Sequence, residues 1–152
     1  MIKRSFLLLV FIFLMTGCAG TISPYGQERV VITNDRGGFI DRFIKKYQRW
    51  NKQNKIVVVD GYCASSCTMV IGMIPRSRLC VTRNAVFGFH GSYYNAVFIA
   101  GPKIENPDQT HLMTDRYTDD VRAWVDSRGG LTTYKKMLIM KYPETLQFFR
   151  AC

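Results

Sequence analysis

Two stretches of this chain place reactive side chains where an apolar run gives way to a turn. Gly61-Tyr62-Cys63-Ala64-Ser65-Ser66-Cys67-Thr68 follows the apolar run at residues 56–60, and His90 closes another at residues 85–89. A serine at the start of a helix lies near unpaired backbone N–H groups, which can stabilise a developing oxyanion. Gly37-Gly38 follows a third apolar run, residues 29–33, and glycine lets the backbone approach a ligand with an N–H aimed at it. A nucleophile, donors and a base at three strand ends are the minimum set for acyl transfer. Each piece alone has a plainer use. Ser65 or Ser66 would cap a helix, Gly37-Gly38 would make a tight turn, and His90 would be a satisfied loop histidine. Only their joint placement favours chemistry.

The elements that must position them follow from periodicity. Residues 29–33 (RVVIT) and 56–60 (IVVVD) are β-branched runs expected as buried strands. Between them Phe39, Ile40, Phe43, Ile44, Tyr47 and Trp50 recur at three- and four-residue intervals, the stripe of an amphipathic helix. Gly61 and Tyr62 are expected to turn the chain into a buried helix over residues 63–74, stopped at Pro75. Residues 79–81 and 85–89 read as short strands. Continuous apolar strands alternating with helices predict an α/β fold, a parallel sheet covered by helices. Residues 91–109, with Gly, Pro, Asn and two tyrosines, read as a long loop of the kind that is often functional. Helices are expected over 110–127 and 131–140, separated by Gly129-Gly130, with a final turn or short helix from Pro143 to Cys152.

The N-terminus points to export. Lys3 and Arg4 precede an uninterrupted apolar run at residues 6–15, too short to span a bilayer as a mature helix. It ends in Leu14-Met15-Thr16-Gly17-Cys18, which resembles a lipobox, with Met15 where leucine is commoner. The expectation is a signal peptide at residues 1–17, a lipid on Cys18, a polar tether at 18–27 and one folded domain at 28–152. Several acyl chains on Cys18 would hold the protein stably to a membrane, placing it in the cell envelope on the periplasmic side of the inner or outer membrane. In that oxidising compartment Cys63, Cys67, Cys80 and Cys152 are disulfide candidates. Zinc would want closer, regular pairs, so no metal is expected; buried free thiols are the other alternative. Four cysteines allow three pairings, and all three stay open. The chain carries 21 Lys+Arg against 11 Asp+Glu, a net charge of +10. These cations are scattered, so the reading is attraction to anionic head groups or envelope polymers rather than to nucleic acid.

Motif order adds a resemblance. Asn34-Asp35-Arg36-Gly37-Gly38 looks like the Asn-Ser-Pro-Gly-Gly turn of the Clp protease proteolytic subunit, and Gly61-Tyr62-Cys63-Ala64-Ser65-Ser66 like its Gly-Gln-Ala-Ala-Ser-Met. Arg78-Leu79-Cys80-Val81-Thr82-Arg83-Asn84-Ala85, then Phe89-His90, resembles the strand leading to its histidine, and the serine-to-histidine separation matches without a gap. The chain is more similar still to short exported members of the ClpP/crotonase-like superfamily with Gly-x-Cys-Ala-Ser-x-Cys-Thr and Gly-Phe-His motifs. The resemblance covers roughly residues 29–91. It implies a spiral of ββα units with C-terminal helices. It further implies Ser65 as nucleophile, His90 as general base, and backbone N–H groups of Gly38 and Ser66 as the oxyanion hole. Self-association into trimers, hexamers or stacked rings is implied as well. Two features depart from the family: the β-α unit that precedes its Gly-Gly turn has almost no counterpart here after the tether, and no acid stands in the stretch Lys136-Met137-Leu138-Ile139-Met140-Lys141. Asp115, Asp119, Asp120 and Asp126 lie between on an expected helix, where any or none could be recruited, and a serine and histidine alone catalyse more slowly.

Two functions compete on these residues. One is an envelope-anchored serine hydrolase, a peptidase forming an acyl-enzyme on Ser65 and needing no cofactor. The other is a non-catalytic lipoprotein that uses the same fold as a binding or scaffolding surface.

Overall fold

The computed structural model describes residues 27–97 and 100–152. The expected signal peptide, Cys18 and nearly all of the tether lie outside the described residues.

The architecture is mixed α/β, a curled sheet with four α-helices among the described residues. Its frame is β1 (Arg29–Asp35), α1 (Ile40–Lys52) and β2 (Ile56–Ala64), with β1 and β2 parallel from Arg29 opposite Ile56 to Asp35 opposite Cys63. The apolar stripe of α1 works as its spacing requires: Ile40 and Tyr47 are buried, and Phe43, Ile44 and Trp50 pack against the core. Phe39, the first residue of that stripe, instead caps the helix and is 69% exposed.

β2 runs through the Gly61-Tyr62 pair that was expected to turn. Ile32 faces Val59 while Asn34 faces Tyr62, so β2 carries one extra residue at this point. Such a bulge bends a strand and increases its twist. A Cβ on Gly61 would stand 1.9 Å from the Thr33 carbonyl oxygen, so only glycine lets the two strands close here. Past the bulge the other edge of β2 changes partner. Val57–Val59 pair with β3 (Leu79–Val81), and Tyr62–Ala64 pair with β4 (Val86–Phe89), both parallel. The sheet therefore splits and curls at Asp60-Gly61.

Several sequence expectations need correction. β1 is not buried: it pairs only with β2 among the described residues, Ile32 alone is buried, and Val31 is 52% exposed. The buried helix expected over 63–74 is shorter. Cys63 and Ala64 still belong to β2, Ser65–Met69 is a 3₁₀ turn, and α2 is only Val70–Met73. Residues 91–109 are not a loop, since β5 (Tyr93–Val97) and β6 (Ala100–Glu105) form an antiparallel hairpin and α3 (Pro107–Thr114) follows. The helix expected over 110–127 is two, α3 and α4 (Asp119–Asp126), and the one over 131–140 is absent. In its place β7 (Leu138–Lys141) pairs antiparallel with β4, from Leu138 opposite Phe89 to Lys141 opposite Val86. After a 3₁₀ turn, β8 (Arg150–Ala151) joins β3. The C-terminal part is thus not simply helical, and the sheet is not wholly parallel.

Candidate active site

Three strands end on one side of the sheet, because β1, β2 and β4 are parallel neighbours. Beyond Asp35 comes Gly37-Gly38, beyond Ala64 comes Ser65, and beyond Phe89 comes His90. Gly38, Ser65 and His90 line a single cleft of about 540 Å³, with Phe39, Tyr93 and Tyr94 among its aromatic walls and Arg36 and Asp41 among its charged ones.

Ser65 opens the 3₁₀ turn with a φ of +56°, in the left-handed region that non-glycine residues rarely occupy. Such a conformation persists only when its surroundings hold it, and here they do. Cys63 and Cys67 are disulfide-bonded across the turn, with Cα atoms 5.3 Å apart. The Thr68 hydroxyl donates to the Ser65 carbonyl at 2.6 Å, and lies 2.6 Å from the Tyr117 hydroxyl. Thr68 has one hydroxyl proton, already given to Ser65, so Tyr117 must be the donor of the second bond. Tyr47 of α1 donates to the Cys67 carbonyl at 2.8 Å. Burial holds both tyrosine hydroxyls well above their ordinary pKa, with the Asp35 charge adding to the effect at Tyr47. Both remain neutral donors. The sequence does not reveal that Thr68, Tyr47 and Tyr117 brace Ser65. Only Thr68, three residues after Ser65 and able to bond back to its carbonyl, left a local signal.

The glycine turn is built against this serine. A Cβ on Gly37 would come within 2.7 Å of both the Ala64 oxygen and the Ser65 Cβ, and Gly37 has a φ of +83°. Its N–H donates to Asp35 Oδ1 at 3.0 Å, and the other oxygen of that carboxylate takes Lys46 of α1 at 2.8 Å. Gly38 donates its N–H to Ser66 Oγ at 2.8 Å, and Ser66 returns its proton to the Gly38 carbonyl at 2.9 Å. Ser66 is fully buried, and its side chain turns under the glycine turn rather than into the cleft. Its side chain is a clasp, and it already engages the N–H that the family resemblance assigns to the oxyanion.

His90 is nearly buried, at 8% exposure. Its Nδ1 lies 2.7 Å from the Gly91 carbonyl oxygen. A carbonyl only accepts, so Nδ1 carries the proton and Nε2 of the neutral ring is left with a lone pair, the form a general base needs. The ring stacks on Tyr93, centroids 6.2 Å apart, and Tyr93 in turn packs on Tyr134 at 5.0 Å. Gly91 is tied to Thr133 through its N–H, at 3.0 Å. Among the described residues no carboxylate bonds to His90. Asp120 pairs with Arg76, Asp119 with Arg122, and Asp115 and Asp126 make no bond to the ring. No hydrogen bond joins Ser65 and His90; the ring bonds to the Gly91 carbonyl instead.

The four cysteines of the folded part pair as Cys63–Cys67 and Cys80–Cys152. The second bond ties β3 to the chain just beyond β8.

No family model matches the chain, and no curated protein matches it. Solved structures to which it is similar include a ClpP1 mutant from Listeria monocytogenes, 12% identical with a TM-score of 0.44 over 81% of this chain and 71% of that one. A peptidase from Plasmodium falciparum is similar over 80% of this chain and 75% of its own, 12% identical with a TM-score of 0.45.

Proposed function

We propose that this chain is a serine hydrolase of the cell envelope, anchored through a lipid on Cys18 and cleaving exposed segments of peptides or proteins. Its fold is read as a ClpP/crotonase-like spiral. The reading is carried by one observation: a serine held at positive φ and a histidine with a free Nε2 line the same cleft. In this mechanism Ser65 Oγ attacks the carbonyl while His90 Nε2 takes its proton and later returns it to the leaving amine. The Gly91 carbonyl orients the imidazole in place of the usual carboxylate. Being uncharged, it stabilises the imidazolium less than an acid would, so turnover is slow. The Gly38 N–H serves the oxyanion by exchanging Ser66 Oγ for the acyl oxygen, beside the N–H of Ser66. The aromatic rim of Phe39, Tyr93 and Tyr94 suits apolar side chains of a peptide.

Two observations favour the alternative, a non-catalytic binding module: the engaged Gly38 N–H and the absence of an acid on His90 among the described residues. Covalent reaction with a fluorophosphonate separates the two. Slow labelling of the oxidised protein is expected, abolished by Ser65→Ala and reduced at least a hundredfold by His90→Ala. Ser66→Ala should change the rate less than tenfold, since its role in the oxyanion hole belongs to the backbone. No labelling of folded, oxidised protein leaves the binding module standing.

A further inference from the structure

The end of the sheet opposite the cleft is cationic. Arg29 opens β1 and lies beside Ile56, where β2 starts, and Lys55 immediately precedes β2. Arg49 and Lys52 occupy the last turn of α1, which returns to this same end. Arg78 precedes β3, whose first residue faces Val57, and it bonds the Lys55 carbonyl and Asn51 rather than an acid. Against these five cations stands Glu28, held by Lys55 at 2.9 Å. Arg29, Arg49 and Lys52 are exposed, and among the described residues none of them pairs with a carboxylate. The chain also enters the fold at this end, through residues 27 and 28.

We infer that this base docks on the anionic head groups of a bilayer, so that the cleft opens away from the membrane. β1 runs six residue steps from Arg29 to Asp35, about 20 Å at the usual rise of a strand. That distance is about two and a half times the screening length at physiological ionic strength. The base feels the surface charge and the cleft does not. Each basic residue near an anionic surface is worth about a fivefold change in partitioning. The inference rests on the envelope reading above but not on the catalytic one.

The full chain, purified from bacterial membranes, is reconstituted with vesicles of phosphatidylcholine alone or with phosphatidylglycerol added. Lysines are then acetylated and mapped by mass spectrometry. Lys52 is expected to react at least fivefold more slowly on the anionic vesicles and to recover in high salt, while Lys103 of β6 and Lys135, which precedes β7, react equally on both. Arg29→Glu with Arg49→Glu should erase the protection of Lys52 without lowering the melting temperature. Retention on phosphatidylcholine that is lost in Cys18→Ser reports the lipid anchor separately. A chain held only by anionic vesicles keeps the docking and discards the anchor. Equal reaction of Lys52 on both vesicles overturns the inference. So does shielding of Lys103 or Lys135 in its place, or shielding of Lys52 by soluble polyphosphate but not by phosphatidylglycerol.

Discussion

Around Ser65 the chain is held by a disulfide, by a buried pair of hydroxyls from Thr68 and Tyr117, by Tyr47 on the Cys67 carbonyl, and by the Ser66 clasp beneath. Around His90 the ties are one main-chain carbonyl, a stacked Tyr93 and a hairpin on which Tyr93 and Tyr94 stay 38% and 50% exposed. The first region keeps an unfavourable φ, which relaxes unless several partners oppose it. The second keeps an ordinary strand end and needs only a ring orientation. Rigidity has gone where the backbone is strained, and exposure to the aromatic side of the cleft.

The two disulfides offer the largest test of that difference. Cys80–Cys152 closes a separation of 72 residues and Cys63–Cys67 one of 4. Chain entropy then assigns about 4 kcal/mol to the first and about 2 kcal/mol to the second. Replacing Cys80 and Cys152 by alanine should lower the melting temperature more, yet leave fluorophosphonate labelling nearly intact while the protein is folded. Replacing Cys63 and Cys67 should cost less stability and most of the labelling, because Ser65 is released from its turn. Equal labelling losses in the two variants would mean that the short disulfide does no positioning.

A finer test separates positioning from burial within the serine region. Thr68→Val keeps the shape of the side chain but removes the bond to the Ser65 carbonyl and strands the buried Tyr117 hydroxyl. The cost should be about 1–3 kcal/mol in denaturant unfolding, and on the proposed hydrolase reading labelling should slow about tenfold through misplacement of Ser65. Tyr117→Phe removes the outer hydroxyl only, so it should destabilise less and label near the wild-type rate. Matching labelling rates in the two variants would assign Thr68 to packing alone.

These regions were unequally legible from the sequence. The strands at residues 29–33, 56–60, 79–81 and 85–89 and the helix with its Ile40–Tyr47 stripe follow from local periodicity, which is strong wherever an element rests on one core. The same periodicity leaves the bulge invisible: Gly61 reads as a turn residue, whereas its reason is the Thr33 carbonyl 28 positions earlier in the chain. Beyond His90 the reading failed for a related cause. The stretch from Leu131 to Met140 is rich in helix formers, but Leu138–Lys141 is taken as a strand by the edge of β4, and tertiary pairing overrides propensity. Gly101 and Pro102 suggested a loop, yet proline is tolerated in a strand with an open edge, and β6 pairs only with β5 among the described residues. At the site the residue types were legible and their bonding was not. Nothing local says that Ser66 turns inward to Gly38, or that a main-chain oxygen occupies His90 Nδ1.

The smallest expected effect concerns acid, and it tests a carboxylate tie on the side of the sheet that leads to His90. Asp60, at the bulge, accepts from Thr82 Oγ1 at 2.5 Å and from Asn84 Nδ2 at 2.9 Å, joining β2 to the turn that leads into β4 and so to His90. These two bonds hold its carboxyl below the usual aspartate pKa, outweighing the opposing effect of desolvation. A folded-state pKa lowered in this way stabilises the protein above the unfolded value, near 3.9, and the contribution disappears as pH falls through the folded value. The bonds on the Ser65 turn itself are a disulfide and neutral hydroxyls, which do not change charge in that range, while the neighbouring glycine turn is tied to the Asp35 carboxylate. Asp60→Asn should therefore be less stable than wild type at pH 6, with the difference closing as the pH approaches 2. A difference that persists undiminished at pH 2 would show that the Asp60 contribution is geometric rather than electrostatic.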